Sequence, residues 1–109
     1  MTTLTPEDLL AGADATYDIM VPPDILRPGD SDTENGLWVQ LRPLTIGKFQ
    51  LIIKAARDDS SLIPLLMVKE SLVEPTLSLE EVKKLRLGLV KFLIEHIRNL
   101  SGLTEKKNY

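Results

Sequence analysis

The stretch Val39-Gln-Leu-Arg-Pro-Leu-Thr-Ile-Gly-Lys-Phe-Gln50 decides the fold. Val39 and Leu41 alternate with Gln40 and Arg42, the period-2 pattern of a half-buried strand, and Pro43 ends the ladder because it has no N–H to donate. Thr45 follows as an N-cap, its hydroxyl placed to accept from an orphan N–H of a first helical turn. Leu44 before it and Phe49 after it stand at the N′ and N4 spacing of a hydrophobic staple. One strand therefore hands over to one helix here. The same stretch separates an acidic first third, punctuated by Pro and Gly, from a run of well-signalled helices.

Upstream, Thr5-Pro6-Glu7-Asp8 gives a capping residue, Pro at N1 and two carboxylates in a first turn, where the helix dipole favours them. Gly12 is placed to end that helix, and Leu4 and Leu9 repeat the staple spacing. A helix this short is not stable alone, so it is expected to dock on something. Within Ala15 to Pro22, Tyr17, Ile19 and Val21 alternate with Asp18 and Met20, which predicts a first strand ended by Pro22-Pro23. Asp24 to Gly29 reads as an extended or turn segment with Arg27-Pro28-Gly29 as a turn signal, and Asp30 to Gly36 as an acidic tip. Leu37 to Arg42 is the second strand, carrying Trp38, Val39 and Leu41. The two strands are expected to pair antiparallel, with helices behind them, because a lone ribbon is only marginally stable.

Downstream, Phe49, Ile52, Ile53 and Ala56 recur at i, i+3, i+4, i+7, so one helix face is expected to be buried. Arg57-Asp58-Asp59 breaks this helix. Ser60 or Ser61 starts another, with Pro64 tolerated in its first turn and Leu62, Leu65, Leu66, Leu72 and Val73 as its apolar stripe, until Glu74-Pro75 ends it. Ser78-Leu-Glu-Glu81 is a capping box with Leu77 and Val82 as its staple, opening a short helix that ends near Leu85. Gly88 marks either a bend or a close helix crossing. From Leu89 to Ser101 only Lys91, Glu95, Arg98 and Asn99 form a polar strip, which predicts a central helix, ended by Gly102 at C′ with Leu103 following. The expected class is mainly α (α+β): a small N-terminal two-stranded β element packed on a bundle of about four helices. As a single domain it divides into an acidic arm with a short helix and first strand (1–36), the second strand and helical body (37–103), and a polar tail (104–109).

The 109 residues, 43% apolar and 27% charged, suffice for one modest core. With no cysteine there is neither a disulfide framework nor a thiolate metal site, a composition that fits a reducing compartment. No secretory signal is read in Met1 to Leu10, and Leu87 to Leu100 is interrupted by Lys91, Glu95, His96 and Arg98, so a soluble protein with no membrane span is expected. Net charge is −3, distributed unevenly. Residues 1–36 hold eight carboxylates against Arg27 alone, a net −7; the remainder holds twelve Lys/Arg against eight Asp/Glu, a net +4. The acidic arm either folds back on its own body or engages a basic partner. A pI near 5.1 lacks the electrostatic term that nucleic-acid binding requires, so no nucleic acid is expected as a partner.

No catalytic constellation emerges. His96 is the one histidine, without a second His, a Cys or a set Ser, and reads as a partly exposed helix residue. Glu80 and Glu81 are explained by N2 and N3 of a capped helix. Gly47 stands alone, so no phosphate-cradling loop is present. No catalytic residue, cofactor or metal is therefore expected, and the protein reads as no enzyme. Ile63, Leu66 and Met67 on the helix after Ser61, with Val90, Ile94 and Ile97 on the last helix, are the candidate partner-binding residues. Their alternative is core packing, but the apolar girth of the two helices is generous for so small a core, which points to a homo-oligomer or a hydrophobic client.

Taken together, Leu41-Arg-Pro-Leu-Thr45, the amphipathic helix after it, Leu65-Leu-Met-Val68, Leu72-Val-Glu-Pro75, Ser78-Leu-Glu-Glu-Val82 and Leu100-Ser-Gly-Leu103 resemble the tail assembly chaperones of long-tailed bacteriophages. The resemblance covers about Ala11 to Leu103. It implies a non-enzymatic protein that coats the helical, hydrophobic tape measure protein, keeps it soluble, recruits tail tube subunits and is absent from the finished particle. It implies a life in the host cytoplasm. It also implies structural roles for Arg42, Pro43, Thr45, Ser78, Glu81 and Gly102, with Arg42 pairing with an acidic group at the strand end. Many genes of this family carry a programmed −1 frameshift, and Lys106-Lys107-Asn108 is compatible with a slippery A-AAA-AAC heptamer; an AAG codon at Lys107 would remove it. Two other readings remain: a permanent component of a phage tail, neck or contractile injection particle, with the arm exchanged between subunits, or a regulatory, antitoxin-like binding module.

Overall fold

A computed structural model describes residues 2–26 and 37–103. The turn Arg27-Pro28-Gly29, the acidic tip Asp30 to Gly36, the tail Thr104 to Tyr109 and the Lys106-Lys107-Asn108 codons lie outside the described residues. In chain order the elements are α1 (Pro6–Leu10), β1 (Tyr17–Met20), α2 (Pro23–Leu26), β2 (Trp38–Leu41), α3 (Ile46–Ala56), α4 (Leu62–Ser71), β3 (Leu72–Glu74), α5 (Leu79–Val82) and α6 (Leu87–Leu100). The class is mainly helical α+β, as expected. The sheet differs from the expected pair of strands, because it has three, all antiparallel, in the order β1-β2-β3. The short α2 stands where an extended or turn segment was expected.

β1 and β2 pair in the register Tyr17↔Leu41, Asp18↔Gln40, Ile19↔Val39 and Met20↔Trp38. On the other edge Leu41 faces Leu72, with an irregularity between Gln40 and Leu41, and the Arg42 N–H donates to the Ser71 carbonyl at 2.9 Å. β3 follows α4 directly. Leu72 leaves the helix with extended angles (φ −74°, ψ 114°), so Leu72 and Val73, assigned by periodicity to a helical stripe, belong to the sheet. Between Leu65 and Glu74 no Gly or Pro marks the helix end, Lys69-Glu70-Ser71 being as compatible with a helix as with a turn, and β-branched Val73 is the only local hint of a strand.

The main core gathers Leu41, Val68, Leu72, Val82, Leu93 and Ile97, all buried. A second, smaller cluster of Ile52, Ala56 and Leu66 lies between α3 and α4. Leu44 and Met67 pack against both clusters and join them. α4 is the element that unites the body, packing against α3, α5 and α6. Its apolar residues run almost all round, so period alone does not pick out Val68, which is fully buried. α6 starts at Leu87 rather than Leu89 and runs through Gly88, whose missing Cβ would meet nothing within 4 Å. Gly88 therefore marks neither a bend between elements nor a close crossing.

Ser71 is buried, and its hydroxyl has no hydrogen-bond partner among the described residues. Removing an unsatisfied hydroxyl from the interior relieves a desolvation penalty. Ser71→Ala is therefore expected to leave stability unchanged or to raise it by about 1 kcal/mol, measured by urea unfolding.

The capping box of α5 forms as expected. Ser78 Oγ accepts from the Glu81 N–H at 3.2 Å, and Glu81 Oε1 accepts from the Ser78 N–H at 2.9 Å. These bonds favour the charged carboxylate, the contact with the Ser78 backbone being the larger cause, so the Glu81 pKa is held below its ordinary 4.5. Because the folded value is depressed, the contribution to stability is present above pH 4.5 and is lost as pH falls below it. Glu81→Gln, which removes the titrating carboxylate, is expected to reduce the fall in stability on acidification below pH 4.5, read from thermal unfolding at a series of pH values.

Candidate apolar recess beside the strand-to-helix junction

The junction after β2 is built as its residues dictate. Thr45 is extended (φ −94°, ψ 167°), and its hydroxyl accepts from the Lys48 N–H at 3.2 Å. Pro43 separates the ladder from the cap. At the far end of the chain α6 closes with a Schellman motif: Gly102 takes a positive φ of 81°, its N–H donates to the Asn99 carbonyl (3.2 Å), and the Leu103 N–H donates to the Arg98 carbonyl (2.8 Å). These two pieces meet. The Leu44 N–H donates to Ser101 Oγ at 2.9 Å, linking the strand-to-helix junction to the end of α6.

Around that bond lies a recess of ≈ 350 Å³ lined by Leu44, Ile46, Phe49, Met67 and Leu103, with Thr45 and Ser101 as its polar members. It opens onto an apolar stripe of α3. Ile46, Phe49 and Ile53 follow at i, i+3, i+7, and their side chains are exposed at 80%, 45% and 42%. Only Ile52 and Ala56 of this helix are buried, so the expected buried face of Phe49, Ile52, Ile53 and Ala56 is half right. The apolar arc of α3 is wider than the contact that α4 makes with it, and Phe49 and Ile53 lie on the uncovered side. That width is the signal that periodicity alone passes over.

The candidate partner-binding residues divide. Leu66 (6% exposed) and Ile97 (0%) are core residues, closed to a partner in the folded chain. Val90 and Ile94 are half-buried and pack against the main core. Ile63 is half-buried against the smaller cluster. Met67 alone of the six lines the recess. The exposed apolar side chains lie instead on the outer side of α3 and on α1, with others on the sheet at Met20 and Trp38 and at Leu87.

Of the motif residues, Thr45, Ser78, Glu81 and Gly102 take the local roles expected of them. Arg42 is structural in a different way: its Nε donates to the backbone carbonyl of Glu70 at 3.0 Å, in place of the expected acidic side chain. The Glu70 carboxylate instead receives Lys48 and Lys69, each at 3.5 Å. His96 is half-buried, its ring 4.5 Å from that of Phe92 and tilted by 54°. Among the described residues no cluster of three or more His, Cys, Asp or Glu is arranged to hold a metal ion, and no helix is long and apolar enough to cross a membrane.

In comparison with known proteins, no family model, no curated protein and no solved structure matches the chain.

Proposed function

We propose that this protein is a non-enzymatic assembly chaperone of a long phage tail, one that holds the helical tape measure protein in solution and helps recruit tail tube subunits. The observation that carries the reading is the meeting of Leu41–Thr45 and Leu100–Leu103. These are the pieces in which the resemblance to that family is strongest, and the Leu44–Ser101 hydrogen bond joins them at the mouth of one apolar recess. A groove of this kind suits the apolar face of a client helix, read through anchors at i, i+3 and i+7. Ile46, Phe49 and Met67 replace the core residues Leu66 and Ile97 as the client-facing set. The protein acts in the host cytoplasm on this reading and leaves before the particle is complete.

Co-expression with a candidate tape measure protein tests it. The client is expected in the soluble fraction with the wild-type chain and in the pellet with Ile46→Ser/Phe49→Ser; equal insolubility with and without the wild-type chain would end the proposal. One observation favours the second reading, a permanent tail, neck or injection-particle component: among the described residues α1 is held against no other element by more than marginal contact, as an arm exchanged between subunits would be. Mass spectrometry of purified particles separates the two, since a component is stoichiometric there and a chaperone is absent.

A further inference from the structure

We propose that α1 of one copy seats its leucines in the Leu44–Phe49 recess of a second copy, so that the chain self-associates by exchanging its N-terminal arm. This goes beyond the chaperone reading and does not rest on it: α1 of a second copy and a client helix would occupy the same recess in turn.

Two unpartnered apolar surfaces on one chain support it. α1 buries none of its residues, and Leu9 and Leu10 are each 70% exposed, with Leu4 at 63%. Its structure is set locally: Thr5 and Asp8 form a reciprocal capping box, and Gly12, with φ 87°, turns the chain away after it. A five-residue helix defined this sharply, yet with every leucine in water, lacks the tertiary contact that short helices need. The recess and the stripe of α3 are the corresponding gap.

Charge gives the pairing its direction. Residues 2–26 carry Glu7, Asp8, Asp14, Asp18 and Asp24 and no Lys or Arg. Residues 46–57 carry Lys48, Lys54 and Arg57 and no carboxylate. Lys48 is engaged by Glu70, whereas Lys54 and Arg57 form no ion pair among the described residues. An acidic helix with exposed leucines and a cationic helix with an exposed Ile/Phe stripe are complementary in both respects. Two identical α3 stripes would instead bring like charges together.

The root of the arm explains why the partner is another copy. Ala11, Gly12 and Ala13 line a smaller recess with Pro43, Leu44 and Leu100, next to the larger one. The arm is thus anchored beside its own recess while its leucines stay outside. Two copies related by a twofold axis can each fill the other's recess, which closes the assembly and leaves no open end.

The test uses the full chain in a dilution series followed by sedimentation or light scattering. Wild type is expected above monomer mass, dissociating on dilution and more readily at high salt, because the acid–base component is screened. Leu9→Ser/Leu10→Ser and Ile46→Ser/Phe49→Ser are each expected to weaken association at least tenfold. All four side chains are exposed, so unchanged circular dichroism checks that each variant is folded. Mixing the two variants is the discriminating step: one keeps a sound recess and the other a sound arm, so the mixture is expected to associate where neither does alone. A wild type that is monomeric throughout, an assembly that either variant leaves intact, or a mixture that stays monomeric overturns the proposal. Failure of the client experiment with the self-association intact would overturn only the chaperone reading.

Discussion

Ile97→Ala is expected to destabilise the protein by about 3 kcal/mol, with a corresponding fall in the urea midpoint and no change in slope. Ile97 is fully buried in the main core with Leu41, Val68, Leu72, Val82 and Leu93. The substitution removes three carbons from a site walled by a sheet and two helices, where relaxation is limited, so the cavity term adds to the lost transfer energy. A cost near zero would mean that this part of α6 is not packed as described. The measurement also separates stability from binding. Any loss of client or partner binding by Ile97→Ala should scale with the unfolded fraction and disappear under conditions that keep the variant folded.

The second expected result is a contrast within α3. Ile52→Ala should cost about 3 kcal/mol in urea unfolding, since Ile52 is 1% exposed and anchors the cluster with Ala56 and Leu66. At dilutions where the chain is monomeric, Phe49→Ser, three residues earlier on the same helix, should cost under about 1 kcal/mol, because nearly half of the ring faces solvent in the single chain. Equal costs at both positions would show that Phe49 is covered in solution. If that coverage vanishes on dilution, the covering surface is a second copy. The apolar contacts of α3 thus divide into a stability set and an association set that differ by less than one helical turn.

Legibility follows the range of the interaction. Caps, breaks and the strand-to-helix junction were readable because each is settled within a few residues: Thr45 with Lys48, Ser78 with Glu81, Gly102 with the Asn99 carbonyl. The pairing of β1 with β2 was readable from alternation and two proline stops. β3 was not, because no Gly or Pro separates Leu72 and Val73 from the helix before them and only their pairing with β2 makes them a strand. The inward face of α4 was hidden for a related reason, its apolar residues offering several equivalent faces until α5 and α6 chose Val68. On the recess, Leu44 and Phe49 were visible as a staple, but Met67 and Leu103 reach it only through tertiary contact. The partner-binding set failed at Leu66 and Ile97 because an apolar helix position says that it wants burial, not whether the burying surface belongs to the same chain.

The bond from Leu44 to Ser101 spans 57 residues of sequence and ends on a single backbone hydrogen. That amide proton exchanges with solvent deuterium when Ser101 Oγ releases it, as it does whenever the end of α6 lifts from the junction. Its exchange rate therefore sets, at one site, an upper bound on how often the recess opens. Any molecule that settles between Leu44 and Leu103 must slow that rate, without needing a label or an assay of its own.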